Sequence, residues 1–218
     1  MKAVTKGNEP ISLTQHRANQ PAFYNNLPKD DTRASLLTEQ GHICCYCMRR
    51  IPESGKTPGS KIEHFLCQDN HSDEELTYGN MLLACLGYEG SPKRLQTCDS
   101  RKGDLSLKYS PSNLARNIED LIKYKPNGEI YSSDETLNTE LETVLNLNVR
   151  QLKENRRVVY ETIQNRIRNK VKQHKTNILQ KRFLESEKRK WLNLDNGKYT
   201  EFCMVGVFVI DKKLKRIA

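Results

Sequence analysis

The sequence predicts an α+β protein in which a zinc-braced, cysteine-rich core is embedded in α-helices on both sides. Three observations lead there. Four of the seven cysteines, Cys44, Cys47, Cys85 and Cys98, fall in one stretch whose spacing suits a metal. From Arg150 onward, apolar residues recur every three or four positions, the period of a helix. Between the two lies an Asn127-Gly128 pair flanked by Tyr124, Ile130 and Tyr131, the signature of a β-hairpin.

Taken in order, residues 1–35 read as an N-terminal arm and the start of a first helix. Residues 1–27 carry Pro10 and Pro21 among scattered polar residues, with Pro28 just beyond, which predicts an extended arm ordered only against another surface. Asp31 or Thr32 can cap a helix that runs to about Gln40, where Gly41 stops it. Residues 36–112 form the cysteine-rich core. Residues 113–218 are mainly helical and basic: the hairpin comes first, then a helix opened by Ser132, Ser133 or Asp134 through Leu137, Leu141 and Leu145. Leu152, Val159, Tyr160, Ile163, Ile167 and Val171 mark the apolar stripe of a long helix. After a break near His174, Ile178, Leu179, Phe183, Leu184, Trp191 and Leu192 mark another. The run Phe202 to Ile210 is the best apolar strand candidate, with a buried helix as its alternative.

The chain has 218 residues, enough to bury a core, with 36 Lys and Arg against 27 Asp and Glu, a net charge of +9. That balance points to an acidic partner such as nucleic acid. From Arg150 to Lys190 there are 14 basic and 4 acidic residues, so this segment holds +10 and the rest sums to about −1. No run of apolar residues reaches membrane length, and Met1 to Gly7 lacks the apolar block of a signal peptide, which predicts a cytoplasmic protein with no membrane partner. Thiols there are reduced, and the crowding of cysteines between 44 and 98 then suggests metal in place of disulfides.

Zinc favours tetrahedral thiolate ligands, and a Cys-x-x-Cys turn presents two sulfurs to one ion. Cys44 and Cys47 have that spacing; Cys85 and Cys98 are the candidates for the second pair, if the loop between them returns the chain. Cys45 and Cys67 are nearby spares, and Cys203 belongs with the apolar core. Interleaved with the cysteines are residues suited to cleaving a phosphodiester, which needs a base, a divalent ion and something to hold the base in line. His64 is the natural base, neutral near pH 7. Asp99 and Glu63 are oxygen ligands suited to Mg²⁺ or Mn²⁺. Glu63 and His64 are neighbours, so both reach one site only where a strand bends or ends. Asn80 can orient the His64 ring or brace its loop. Arg101 and Lys102, with Arg166, Arg168, Lys170 and Lys172 on the basic helix, are candidate phosphate contacts. His16, His42, His71 and His174 lack such company.

The order Cys44-Cys45-Tyr46-Cys47, Ile62-Glu63-His64-Phe65, Tyr78-Gly79-Asn80, Cys98-Asp99-Ser100-Arg101-Lys102-Gly103-Asp104 resembles the HNH nuclease superfamily. The longer run from Leu36 to Asp104 is similar to the PtuB-type nucleases of Septu and retron-associated anti-phage systems. The resemblance implies a ββα-metal active site, a structural zinc knuckle, a catalytic divalent ion and an ATPase partner of the PtuA type. In retron versions it also implies a reverse transcriptase and its RNA–DNA product. Asp99 stands where many members have His or Asn, and Cys67 replaces a proline common soon after the histidine. The other expectation is a zinc-knuckle subunit that binds nucleic acid without cutting it; a base beside a carboxylate argues against that.

Overall fold

A computed structural model describes residues 1–53, 59–171, 173–174 and 176–217. Its helices are α1 (Ile11–Ala18), α2 (Lys29–Glu39), α3 (Cys98–Lys102), α4 (Ile118–Leu121), α5 (Glu135–Thr139), α6 (Arg150–Val171), α7 (Asn177–Leu192) and α8 (Cys203–Leu214). Two antiparallel pairs complete the α+β architecture: β1 (Ser60–His64) with β2 (Met81–Cys85), and β3 (Ile122–Tyr124) with β4 (Ile130–Ser132). In the first pair Glu63 lies opposite Leu82 and His64 opposite Met81. Every residue of β2 is buried, and its edge is completed by a side chain in place of a strand. The Gln40 amide accepts from the Leu83 N–H at 2.7 Å and donates to the Leu83 carbonyl at 2.8 Å.

The N-terminal arm lies on the protein's own surface. Val4 N–H donates to the Pro111 carbonyl at 2.9 Å, Lys2 pairs with Glu119, and Lys6 pairs with Glu39. It is not wholly extended as expected, because α1 forms within it and buries Leu13. Helix α2 begins two residues earlier than its expected cap. Asp30 and Asp31 fall in its first turn, where the helix dipole favours them, and Gly41 follows its end with φ +54.

The β3–β4 hairpin forms as its turn residues predict, with Gly128 at φ +81. Asp134 caps α5 by accepting from Leu137 N–H, and that helix runs on as a π-helical turn, Glu140–Val144. The buried stripe of α6 is Leu152, Arg156, Tyr160, Ile163, Ile167 and Val171. Arg156 was not expected there; its guanidinium is satisfied by the Gly128 and Leu147 carbonyls at 2.6 and 2.8 Å. On α7, Ile178 and Leu179 are exposed, not part of the apolar face as expected, and Leu184 is the buried anchor.

The apolar run near the C-terminus is a helix, not a strand: α8 buries seven residues from Cys203 to Ile210 between α6 and α7. The run has no period that would distinguish the two states. Packed against α6, α7 and β3, it satisfies its own backbone as a helix does, residue by residue.

Candidate functional site

The cysteine centre is built from three segments. In the first, Cys44 N–H donates to the Arg49 carbonyl at 2.9 Å and Met48 N–H returns to the Cys44 carbonyl at 3.0 Å, with Met48 in the left-handed region at φ 63. This closes the Cys-x-x-Cys loop. Cys45 N–H then ties the loop to β2 through the Leu83 carbonyl at 3.1 Å. Cys85 ends β2, and Cys98 opens α3. The returning loop depends on Gly87. At φ +56, a Cβ there would lie 2.0 Å from the Thr97 carbonyl oxygen, whereas Thr97 N–H reaches the Gly87 carbonyl at 2.8 Å.

The four sulfurs of Cys44, Cys47, Cys85 and Cys98 all lie within 4.8 Å of one another, and all four residues are buried. Cys44 to Cys98, Cys47 to Cys85 and Cys85 to Cys98 are 3.8, 3.7 and 3.8 Å apart. A tetrahedron with Zn–S bonds of about 2.3 Å has edges of about 3.8 Å, so the donor set and its size fit one zinc ion. Burial pushes the thiols of Cys44, Cys47 and Cys98 up. Hydrogen bonds from the neighbouring sulfurs, Cys44 first, hold Cys85 far down, with Arg49 adding its charge. The Arg49 guanidinium lies 3.3 Å from the Cys85 sulfur. Cys45, Cys67 and Cys203 are buried outside this cluster.

Beside it opens a cleft of about 470 Å³, lined among others by Tyr24, Arg33, Lys61, Glu63, His64, Asp99, Lys102 and Asp104. Three elements supply its chemistry. On β1, Lys61 and Glu63 share one face by the two-residue period, and His64 is the last residue of the strand. Helix α3 brings Asp99 in its first turn and Lys102 in its last. Glu63 and His64 therefore both line one cleft, as the end of a strand allows.

Charge in the cleft is closely matched. Lys102 Nζ lies 2.9 Å from Glu63 Oε1 and donates to the His64 carbonyl at 3.0 Å. Lys61 Nζ lies 2.9 Å from Asp99 Oδ2. Burial, and then the adjacent Asp99 carboxylate, raise Glu63 well above the usual carboxyl range despite Lys102. Burial also acts to raise Asp99, but the hydrogen bond with Glu63 and the pairing with Lys61 outweigh it and leave it lowered. As hard oxygen donors in one cleft, the two carboxylates fit a divalent cation such as Mg²⁺ or Mn²⁺.

Burial lowers His64, against the opposing effect of its bond to Glu75, so the ring is neutral near pH 7. Its Nε2–H donates to the Glu75 carbonyl at 2.9 Å, which leaves Nδ1 as the basic nitrogen. Tyr24 meets the ring edge-on, with centroids 4.5 Å apart. Asn80 does not orient that ring. Its side chain accepts from Leu66 N–H at 2.7 Å and donates to the Leu66 and Glu74 carbonyls, bracing the loop that follows β1.

Of the expected phosphate contacts, Lys102 and Arg101 are tied up within the protein. Lys102 is 2 % exposed, its ammonium committed to Glu63 and the His64 carbonyl. Arg101 is held by the Thr143 and Lys93 carbonyls and does not line the cleft. Arg166 pairs with Glu187. Arg168 is bonded to Asn165 and Lys170 lies near Gln173 at 3.4 Å, both exposed; Lys172 falls outside the described residues. No residue of α6 or α7 lines the cleft.

Sequence reasoning missed Lys61, Tyr46, Tyr24 and Arg33. Lys61 carried a signal, since it stands two positions from Glu63 and so shares its face. Tyr46 sat within the cysteine turn. Tyr24 and Arg33 come from distant elements and had no signal.

Comparison with protein-family models finds no match, and comparison with curated proteins finds none. Among the described residues, no helix is long and apolar enough to cross a membrane.

Proposed function

We propose that the chain is a metal-dependent endonuclease of the HNH, or ββα-metal, type, with β1, β2 and α3 as its core. The observation that carries this reading is the convergence of Glu63, His64 and Asp99 on one cleft, with His64 held through Nε2 so that Nδ1 is the free base. In this reading Nδ1 takes the proton of the attacking water, and the Glu75 carbonyl keeps the ring in the required tautomer. Glu63 and Asp99 would hold the divalent ion. That ion, when bound, neutralises charge on the phosphate and the leaving oxygen. Asn80 braces the loop behind His64, and Lys102 balances the buried Glu63. The zinc centre fixes α3 against β2 and has no part in the chemistry.

The sequence resemblance extends the proposal to a biological setting: the effector subunit of an anti-phage defence complex with a PtuA-type ATPase. In the retron form of that setting, a reverse transcriptase and its RNA–DNA product accompany it. A zinc-knuckle subunit that only binds nucleic acid is the second reading. It is favoured by Lys61 and Lys102, which already neutralise both carboxylates.

Digestion separates the two. The chain, produced with the products of its flanking genes, is incubated with plasmid DNA or tRNA in Mg²⁺ or Mn²⁺. Cleavage that EDTA and His64→Ala both abolish is the expected result. Binding without cleavage in every divalent ion overturns the nuclease reading.

A further inference from the structure

We infer that Tyr46 is a positioning residue for the cleft: its hydroxyl fixes the Glu63 carboxylate for a divalent cation and thereby ties the cleft to the zinc centre. The inference rests on the proposed role of Glu63 and Asp99 as oxygen ligands. Tyr46 is fully buried and immediately precedes Cys47, whose sulfur belongs to the four-thiol cluster. Its hydroxyl donates to Glu63 Oε1 at 2.7 Å. Lys102 Nζ reaches that same oxygen at 2.9 Å.

Oε1 therefore carries two donors, whereas none meets Oε2 among the described residues. The Asp99 carboxylate lines the same cleft, with its Oδ2 paired to Lys61 at 2.9 Å. Held at one oxygen from two directions, the carboxylate cannot turn about its last torsion without losing both bonds. Its second oxygen is then the one that would be available to a cation shared with Asp99. A phenylalanine would fill the same core, and the phenol oxygen is accounted for by this one bond. The backbone that carries Tyr46 is shaped by Cys44 and Cys47 on either side. A loop that loses its thiol ligation moves the hydroxyl, and with it the orientation of Glu63.

The test is Tyr46→Phe in the full chain, with zinc content, unfolding midpoint, Mn²⁺ affinity by calorimetry and Mn²⁺ dependence of cleavage all measured. The hydroxyl is bonded to a charged group, so its removal is expected to weaken Mn²⁺ binding on the order of tenfold. Zinc content stays as in the wild type, the midpoint falls by a few degrees, and cleavage recovers at saturating Mn²⁺. A merely structural tyrosine would lower the midpoint and the maximal rate without moving Mn²⁺ affinity. Combined with Glu63→Gln, Tyr46→Phe should cause no further loss of Mn²⁺ affinity. Wild-type Mn²⁺ affinity in Tyr46→Phe, or additive losses in the double variant, overturns the inference alone. Failure of the wild-type chain to bind Mn²⁺ overturns the oxygen-ligand reading, and the inference with it.

Discussion

Replacing Cys98 with serine should unfold this protein, whereas replacing Cys45 should not. The four sulfurs join the turn after α2, the end of β2 and the start of α3, and their spacings of 3.7 to 3.8 Å match a zinc tetrahedron. Structural zinc contributes on the order of 10 to 16 kcal/mol in small domains, against a net folding stability of about 5 to 15 kcal/mol for a typical protein. Losing a ligand therefore removes an amount comparable to the whole. Even a quarter of the lower figure, about 2.5 kcal/mol, lowers the midpoint of a chain this size by about 5 to 10 °C. Elemental analysis of the wild type should give one zinc per chain, and X-ray absorption should show four sulfurs at about 2.3 Å. Cys98→Ser should be insoluble or lose its cooperative transition. Cys45, buried but outside the cluster, is the control, and Cys45→Ser should retain its zinc. Soluble, cooperatively folded wild-type protein without zinc would refute the reasoning, as would an unchanged midpoint in Cys98→Ser.

His64→Ala should lower cleavage about 10²- to 10⁴-fold, the contribution of a positioned general base, with zinc content unchanged; wild-type rates would remove the residue from the mechanism. Gly206→Ala should destabilise α8 against α7, because the added Cβ would lie 2.5 to 2.9 Å from ring atoms of Trp191. Overpacking of about 1 to 3 kcal/mol exceeds the helix gain of about 0.5 to 1 kcal/mol, and a raised midpoint in thermal unfolding would contradict that balance. On the basic helix, Arg168→Gln with Lys170→Gln should reduce the slope of log affinity against log salt by up to about 1.8 for duplex DNA or about 1.4 for single strands. Arg166→Gln should instead lower stability, since Arg166 is paired with the buried Glu187; an unchanged slope in the double variant would assign these charges to solvent or a protein partner.

What could be read in the sequence was what depends on residue type at short range. The Cys44–Cys47 turn, the Asn127-Gly128 hairpin and the stripe of α6 each repeat or close within a few positions, so the chain itself carries their signal. Cys85 and Cys98 were legible by chemistry, although the turn at Gly87 that brings them together was visible only as a requirement. Illegible were the contacts that join distant segments. Lys102 looked like a surface phosphate ligand because nothing near it in sequence shows that Glu63, on another element, takes its charge. The apolar run of α8 failed for a different reason: a segment buried on all sides has no polar face, and without one neither helical nor strand period is expressed. The same limit hid Tyr46. Its place in the cysteine turn assigns its hydroxyl no partner, and only the packing of β1, which brings Glu63 to that turn, supplies one. Residue types thus name the candidates for chemistry, and packing decides which of them meet. The cleft is the case where the two disagree: of the two basic residues following Asp99, one is buried as a counter-ion and the other is held by backbone carbonyls. The cations left at the cleft's edge are Arg33 and Lys61, and Lys61, on the same face of β1 as Glu63, pairs with Asp99 from the opposite element.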